Sequence, residues 1–104
     1  MRVIYYLQEH VETNLTLKDL AEYFKYSESH FSTLFQKETG TSPIKYFTRL
    51  KIQKACQYIE LTDMKLNEIA MRLGFEEQAY FSRVFTKVMG ISPSSYRKKE
   101  ADNR

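Results

Sequence analysis

Glycine and proline are scarce, at three and two residues in a chain of 104. An all-β chain of this length needs frequent turns. So few breakers argue against a sandwich or barrel and favour helices. Tryptophan is absent, and the single cysteine, Cys56, cannot form an internal disulfide. A lone thiol suits a reducing compartment, so a cytoplasmic location is expected. No apolar run is long enough to span a bilayer, and the start shows no signal-peptide pattern. Only two histidines occur, His10 and His30, on different segments and without carboxylate or Cys partners at ligand spacing. That removes any metal-site or catalytic-triad pattern. Neither an enzyme nor a cofactor nor a membrane partner is expected.

Charge of one sign is modest. The net charge is +3, and residues 1–50 balance six basic against six acidic side chains. Residues 51–104 carry ten basic and seven acidic side chains, including the run Arg97-Lys98-Lys99. This excess fits a polyanionic partner, and it fits a solvated tail equally well.

What the chain does have is an internal repeat. Leu17-Lys18-Asp19-Leu20-Ala21 aligns with Leu66-Asn67-Glu68-Ile69-Ala70 at an offset of 49. One residue is then gained. Phe31, Ser32, Phe35, Lys37, Gly40, Ser42, Pro43 and Tyr46 recur as Phe81, Ser82, Phe85, Lys87, Gly90, Ser92, Pro93 and Tyr96. That is eight identities in sixteen residues at one offset of 50. Repeats of this length mark a supersecondary unit used twice.

Each copy reads as a short helix, a turn, a longer helix and a stop. In the first, Thr16 with Asp19 three residues on makes a capping box. Leu17, Leu20, Ala21 and Phe24 recur at helical spacing. After a turn at Lys25-Tyr26, Ser27 caps a helix over about 28–39 with Phe31, Leu34 and Phe35 on one face, and Gly40 ends it. In the second, Leu66, Ile69, Ala70 and Leu73 form the short helix and Gly74 ends it. Phe81, Val84, Phe85 and Val88 form the expected buried stripe of a helix over about 77–89, ended by Gly90. Lys65 stands where Thr16 stood, so this copy leans on packing rather than on a cap. Residues 2–13 carry Ile4, Leu7 and Val11 at helical spacing. Ser42 and Pro43 open a long helix to about Leu61. Its apolar residues, Ile44, Phe47, Leu50, Ile52, Ala55, Cys56 and Ile59, suit a helix with apolar surface on two sides. Ser92-Pro93 opens a last helix ending near Tyr96, and 100–104 reads as a frayed tail.

The predicted fold is therefore all-α, with seven helices. Two trihelical, homeodomain-like helix-turn-helix subdomains, about 2–42 and 62–99, are joined by a long central helix over about 43–61. In a helix-turn-helix the first helix braces and the second lies in the DNA major groove. The central helix of about 19 residues spans roughly 28 Å at 1.5 Å per residue. Successive major-groove faces lie about 34 Å apart. Both units are thus expected to read adjacent major grooves of one double-stranded DNA, the small shortfall being met by bending the DNA or by binding with only one unit.

The exposed faces supply candidate contacts. Setting aside the buried stripes leaves Ser29, Ser32, Thr33, Gln36 and Lys37 in the first reading helix. The second leaves Gln78, Ala79, Ser82, Arg83, Thr86 and Lys87. Short hydroxyls discriminate bases weakly, Gln pairs with adenine and Arg with guanine. The second unit is expected to carry more of the base specificity, and the first more of the shape and phosphate binding. His30, Lys37, Thr41, Ser42, Lys87, Ser92 and Arg97 are candidate phosphate contacts, the Ser and Thr residues by virtue of helix starts. Plainer readings stand beside these. Arg83 pairs with Glu76 or Glu77, the serines and Gln78 only face solvent, Thr41, Ser42 and Ser92 only cap, and His30 is a partly buried structural residue. Two rival functions share the same helices: a protein-interaction module and a non-specific DNA-architectural protein.

With the repeat laid out, the chain resembles the C-terminal DNA-binding domain of the AraC/XylS family of bacterial transcription regulators. The resemblance rests on LTLKDLAEYF, YSESHFSTLFQKETGTSPIKYF, LNEIAMRLGFEEQAYFSRVF and GISPSSYRKK, in that order, and covers roughly residues 3–99. Gly74, Phe75, Tyr80, Phe81, Ser82, Arg83, Phe85, Gly90, Pro93 and Tyr96 match the family's most specific stretch. The resemblance implies seven helices, two reading helices, and base contacts from Ser29, Ser32, Thr33, Gln78, Ala79, Ser82 and Arg83, which become the candidate base contacts. It also implies a separate sensing or dimerising domain elsewhere in a longer protein, a stand-alone small regulator being the other reading. RNA polymerase is a further candidate partner.

Overall fold

A computed structural model describes residues 2–103 of the chain. Among the described residues every regular element is an α-helix. They are α1 (Arg2–Glu9), α2 (Leu17–Tyr23), α3 (Glu28–Thr39), α4 (Pro43–Leu61), α5 (Leu66–Arg72), α6 (Gln78–Met89) and α7 (Pro93–Asp102). The all-α, seven-helix expectation is met. Two ends differ from the periodicity. α1 stops at Glu9 and gives way to a turn in which Thr13 N–H donates to the His10 carbonyl. α7 runs to Asp102, well past Tyr96, so Glu100–Asp102 are helical rather than frayed. Apolar spacing alone cannot place the end of a helix this polar.

The chain divides into two compact units, one up to Leu50 and one from Lys51 onward. The first core gathers Val3 and Leu7 of α1, Leu20 and Ala21 of α2, Phe31 and Phe35 of α3, and Phe47 of α4. The second gathers Ile52, Ala55, Cys56 and Ile59 of α4, Ile69 and Ala70 of α5, Leu73 and Phe75 of the following turn, and Phe81 and Phe85 of α6. The cores extend the repeat beyond what the identities reveal. Val3 and Leu7 hold the places of Ile52 and Cys56 at the offset of 49, so α1 repeats the second half of α4. α4 buries Phe47 in one unit and Ile52 in the next, as a helix with two apolar sides must. Its first apolar residue, Ile44, is exposed.

Local chemistry fixes the helix ends. Thr16 and Asp19 form the expected capping box: Asp19 N–H donates to Thr16 Oγ1 at 3.1 Å, and Thr16 N–H to Asp19 Oδ2 at 2.9 Å. The donated Thr16 backbone N–H, then its side chain, hold the Asp19 carboxyl below its ordinary value. A carboxyl with a depressed folded pKa stabilises above its unfolded value, and that contribution disappears as pH falls through the folded one. Asp19→Asn is therefore expected to flatten the acid limb of a stability–pH curve below about pH 4. Urea unfolding at several pH values checks this, and an unchanged slope contradicts it.

The two helix-turn-helix turns need one residue in left-handed conformation. In the second unit it is Gly74, at φ +87°. At the matching place in the first unit Lys25 adopts φ +62°. A side chain in that region crowds its own backbone at a cost of about 1–2 kcal/mol, partly offset in Lys by a stiffer unfolded chain. Lys25→Gly is thus expected to stabilise the protein by about 0.5–1 kcal/mol, raising the melting temperature by a few degrees. A fall in melting temperature would refute the strain.

α7 is clasped to its own unit. The Tyr96 hydroxyl donates to Glu60 Oε2 at 2.5 Å, and the Tyr96 ring stands edge-on to Phe85 at 5.7 Å. Tyr46 meets Phe35 in the same way at 5.5 Å in the first unit. The bond to Glu60, then burial, push the Tyr96 phenol well above its usual range. Burial pushes the Cys56 thiol up as well, so this cysteine is an inert core residue. No helix among the described residues is long and apolar enough to cross a membrane.

Candidate nucleic-acid interface

The two reading helices are built alike. α3 buries Phe31 and Phe35, and α6 buries Phe81 and Phe85, each phenylalanine at most 2% exposed. That pins one face inward and turns the opposite face outward. Ser29, His30, Thr33, Gln36 and Lys37 of α3 are exposed, and Ser32 is half-buried. Gln78, Ala79, Arg83, Thr86 and Lys87 of α6 are exposed, and Ser82 is half-buried. All seven candidate base-contact positions therefore lie on the outward side or at its edge, along the first half of each helix. Val84 is half-buried, and Val88 is exposed rather than part of the stripe. By the last turn α6 has outrun its core, which ends at Phe85.

The starts of the two helices differ. Ser27 caps α3, its Oγ accepting from His30 N–H at 3.1 Å. α6 has Glu77 at its N-cap and no side-chain cap bond. Glu28 places a carboxylate in the first turn of α3, whereas the first turn of α6 carries none. A helix N-terminus favours negative charge, and Glu28 already occupies that field. At α6 the acidic pair Glu76 and Glu77 stands just before the first turn. Both helices carry a lysine in the last turn, Lys37 and Lys87, and both end on a left-handed glycine, Gly40 and Gly90.

The side chains on this face are partly ordered by one another. The Arg83 guanidinium stands over the Tyr80 ring, 5.7 Å from its centroid, rather than reaching back to the acidic pair before α6. Tyr80 in turn leans on Phe75 at 6.0 Å. His30 is exposed, not partly buried, and meets the Tyr26 ring edge-on at 5.1 Å. The sequence marked Tyr80 only as part of the family's matching stretch and assigned it no contact, although its place three residues before Arg83 is the spacing at which helix side chains meet. Thr86 Oγ1 donates to the Ser82 carbonyl at 2.7 Å.

The candidate phosphate contacts fall into two groups. Lys37, Lys87 and His30 are exposed on the reading helices. Ser42 and Ser92 act as caps: Ser42 Oγ accepts from Lys45 N–H at 3.3 Å, and Ser92 Oγ from Ser95 N–H at 3.1 Å. Their hydroxyls serve the helices, which leaves first-turn backbone N–H groups as the donors for an anion. Thr41 N–H donates to Thr39 Oγ1 at 3.3 Å. Arg97 is half-buried at the place where the first unit has core Phe47, and its Nη2 is buried without a hydrogen-bond partner. Lys98 and Lys99 beside it are exposed. Among the described residues no group of three or more His, Cys, Asp or Glu is placed to hold a metal ion.

A family model described as a helix-turn-helix domain matches residues 20–99. The MmsAB operon regulatory protein of Pseudomonas aeruginosa is 39% identical over 94 residues, 90% of this chain and 31% of that protein. The raffinose operon transcriptional regulatory protein RafR of Pediococcus pentosaceus is 38% identical over 93 residues, 89% of this chain and 34% of that protein. The chain thus spans about a third of the length of these curated relatives. Among solved structures, the C-terminal domain of the response regulator AraT from Geobacillus stearothermophilus superposes with a TM-score of 0.90 at 36% identity, covering 94% of this chain and 82% of that one. The DNA-binding domain of the global transcriptional factor AdpA, solved in complex with a target DNA, gives 0.94 at 25% identity, covering 99% and 93%. The outward reading faces, the twofold repeat and these matches lead to one assignment: the chain belongs to the AraC-type family of helix-turn-helix transcription regulators.

Proposed function

We propose that the chain binds double-stranded DNA in a sequence-specific way, with α3 and α6 in adjacent major grooves, as the output part of a longer transcription regulator. The observation that carries this reading is the pair of helices anchored by Phe31/Phe35 and Phe81/Phe85, each presenting polar side chains along its exposed first half. The AdpA domain, which binds a target DNA, supports it through the shared fold. Gln78, Ala79, Ser82 and Arg83 carry most of the base reading. Ser29, Ser32 and Thr33 add weaker hydroxyl contacts. Lys37, Lys87, His30, Arg97 and the helix starts at Thr41, Ser42 and Ser92 hold phosphates. The setting is the cytoplasm, where a lone reduced cysteine is at home. A sensing or dimerising domain elsewhere in the full-length protein and RNA polymerase are the further partners, and the chain has no catalytic role.

A salt titration tests the proposal against the protein-interaction reading. Affinity for duplex DNA is expected to fall steeply, log K losing about 0.9 per log salt for each phosphate contact. Protection of about two helical turns of DNA by one chain is expected with it. Salt-independent binding, or none, overturns the proposal. Equal affinity for random and selected duplexes favours an architectural protein instead.

A further inference from the structure

The one charged side chain in either core among the described residues is Lys51, only 7% exposed. It opens the second unit from within α4, and its Nζ donates to the Leu73 carbonyl at 2.6 Å. Leu73 is the C-cap of α5 and is itself fully buried. The bond therefore grips the backbone one residue before left-handed Gly74, at the hinge of the second helix-turn-helix. From that point the chain reaches α6 through Phe75, whose buried ring packs edge-on to Phe81 at 5.3 Å.

We propose that Lys51 is a positioning residue for DNA reading, a strut that sets the pose of α6 without touching DNA; this rests on the DNA-binding reading above. The argument comes from comparing the two units. In the first, local caps place the helices: the Thr16–Asp19 box starts α2 and Ser27 starts α3. In the second, neither Lys65 nor Glu77 makes a side-chain cap bond, so α5 and α6 begin without local anchorage. The residue matching Lys51 at the offset of 49 is Arg2, which is exposed. The unit whose α5 and α6 start without side-chain caps has the buried strut, and the unit whose α2 and α3 are capped does without one. A buried ammonium on a carbonyl is a strong, directional bond, and the carbonyl it satisfies is one that a helix end leaves without a partner. α6 carries Arg83, whose contact with a base edge depends on the angle at which the helix enters the groove.

The test compares the Lys51→Met and Lys51→Arg variants with the Lys87→Ala variant, well below the unfolding midpoint. Lys51→Met is expected to bind a selected duplex about tenfold more weakly, with an unchanged salt slope. Lys51→Arg, which keeps a charged donor, restores most of the affinity. Lys87→Ala lowers the slope by about 0.9, as loss of a phosphate contact should. In DNA-free protein, Lys51→Met speeds amide exchange at Ala79–Phe81 more than at Ser29–Phe31. If Lys51→Met does not fold, Lys51→Gln provides the same exchange and binding comparison. Wild-type affinity in a folded Lys51→Met or Lys51→Gln, a lowered salt slope, or uniform exchange across both units overturns the strut. Failure of the wild-type chain to bind any duplex strikes the DNA-binding reading, while the exchange result still judges Lys51.

Discussion

Arg83→Ala is expected to weaken binding to the preferred duplex by about 1–3 kcal/mol, a loss of roughly 5- to 150-fold, and to relax preference at one base pair. The guanidinium presents paired donors that match the two acceptors of guanine in the major groove, and Arg83 is the one arginine on α6. Its place over the Tyr80 ring holds it near a fixed direction before DNA arrives. Less side-chain freedom is then lost on binding. The check is a titration of the variant against four duplexes that differ only at the implicated base pair. The parent discriminates among the four, and the variant binds them alike. A variant that keeps the parent's ranking and affinity removes Arg83 from the readout and returns it to the solvated surface.

Phe85→Ala should have the largest effect on folding, a loss of about 3–5 kcal/mol. Phe85 is fully buried in the second core, its ring centroid 5.9 Å from that of Phe81 and 5.7 Å from that of Tyr96. Removing its ring opens a cavity that the packed helices cannot refill. A domain of this size has only about 5–15 kcal/mol in total, so much of the reserve is lost. DNA binding should fall with it, because α6 is held to its unit by Phe81 and Phe85. Phe85→Leu, which keeps most of the volume, should lose far less. Denaturant unfolding distinguishes the two variants. A loss below about 1 kcal/mol in Phe85→Ala would mean that the core is looser than its burial indicates.

Much of the architecture was legible because the chain states it twice. Phe31 and Phe35 repeat as Phe81 and Phe85, and these four residues settle which faces of α3 and α6 turn inward. Thr16 with Asp19 marked the start of α2, and Lys65 correctly signalled a helix start without a cap. Where the reading failed, spacing carried too little information. Val88 continues the period of Phe81 and Phe85, yet the core stops before it reaches the last turn of α6. α7 is too polar for periodicity to mark its end, so its extension to Asp102 was invisible. The kinship of α1 with the second half of α4 leaves a single identity, Gln8 with Gln57, and otherwise only matching buried positions such as Val3 and Ile52.

Candidate site residues were legible in a different sense. Exposure along α3 and α6 follows directly from the buried stripe, so Ser29, Thr33, Gln78, Ala79 and Arg83 could be placed outward. Relations between side chains could not be read in this way. The Arg83–Tyr80 contact is a local pair at a known spacing, whereas Lys51 and Leu73 are 22 residues apart and meet only through the packing of α4 on the α5–α6 turn. A lysine between Leu50 and Ile52 reads as one more polar residue on a long helix until the fold brings a carbonyl to it.

The most direct measurement is selection of bound duplexes from a random pool with the purified chain. Enrichment of an asymmetric site is predicted, with two blocks of preference about one helical turn apart and the sharper block belonging to α6. Assigning the blocks requires only that Arg83→Ala blur that sharper block and leave the other intact. A pool that emerges as random as it entered, or preferences that survive Arg83→Ala unchanged, would contradict the account.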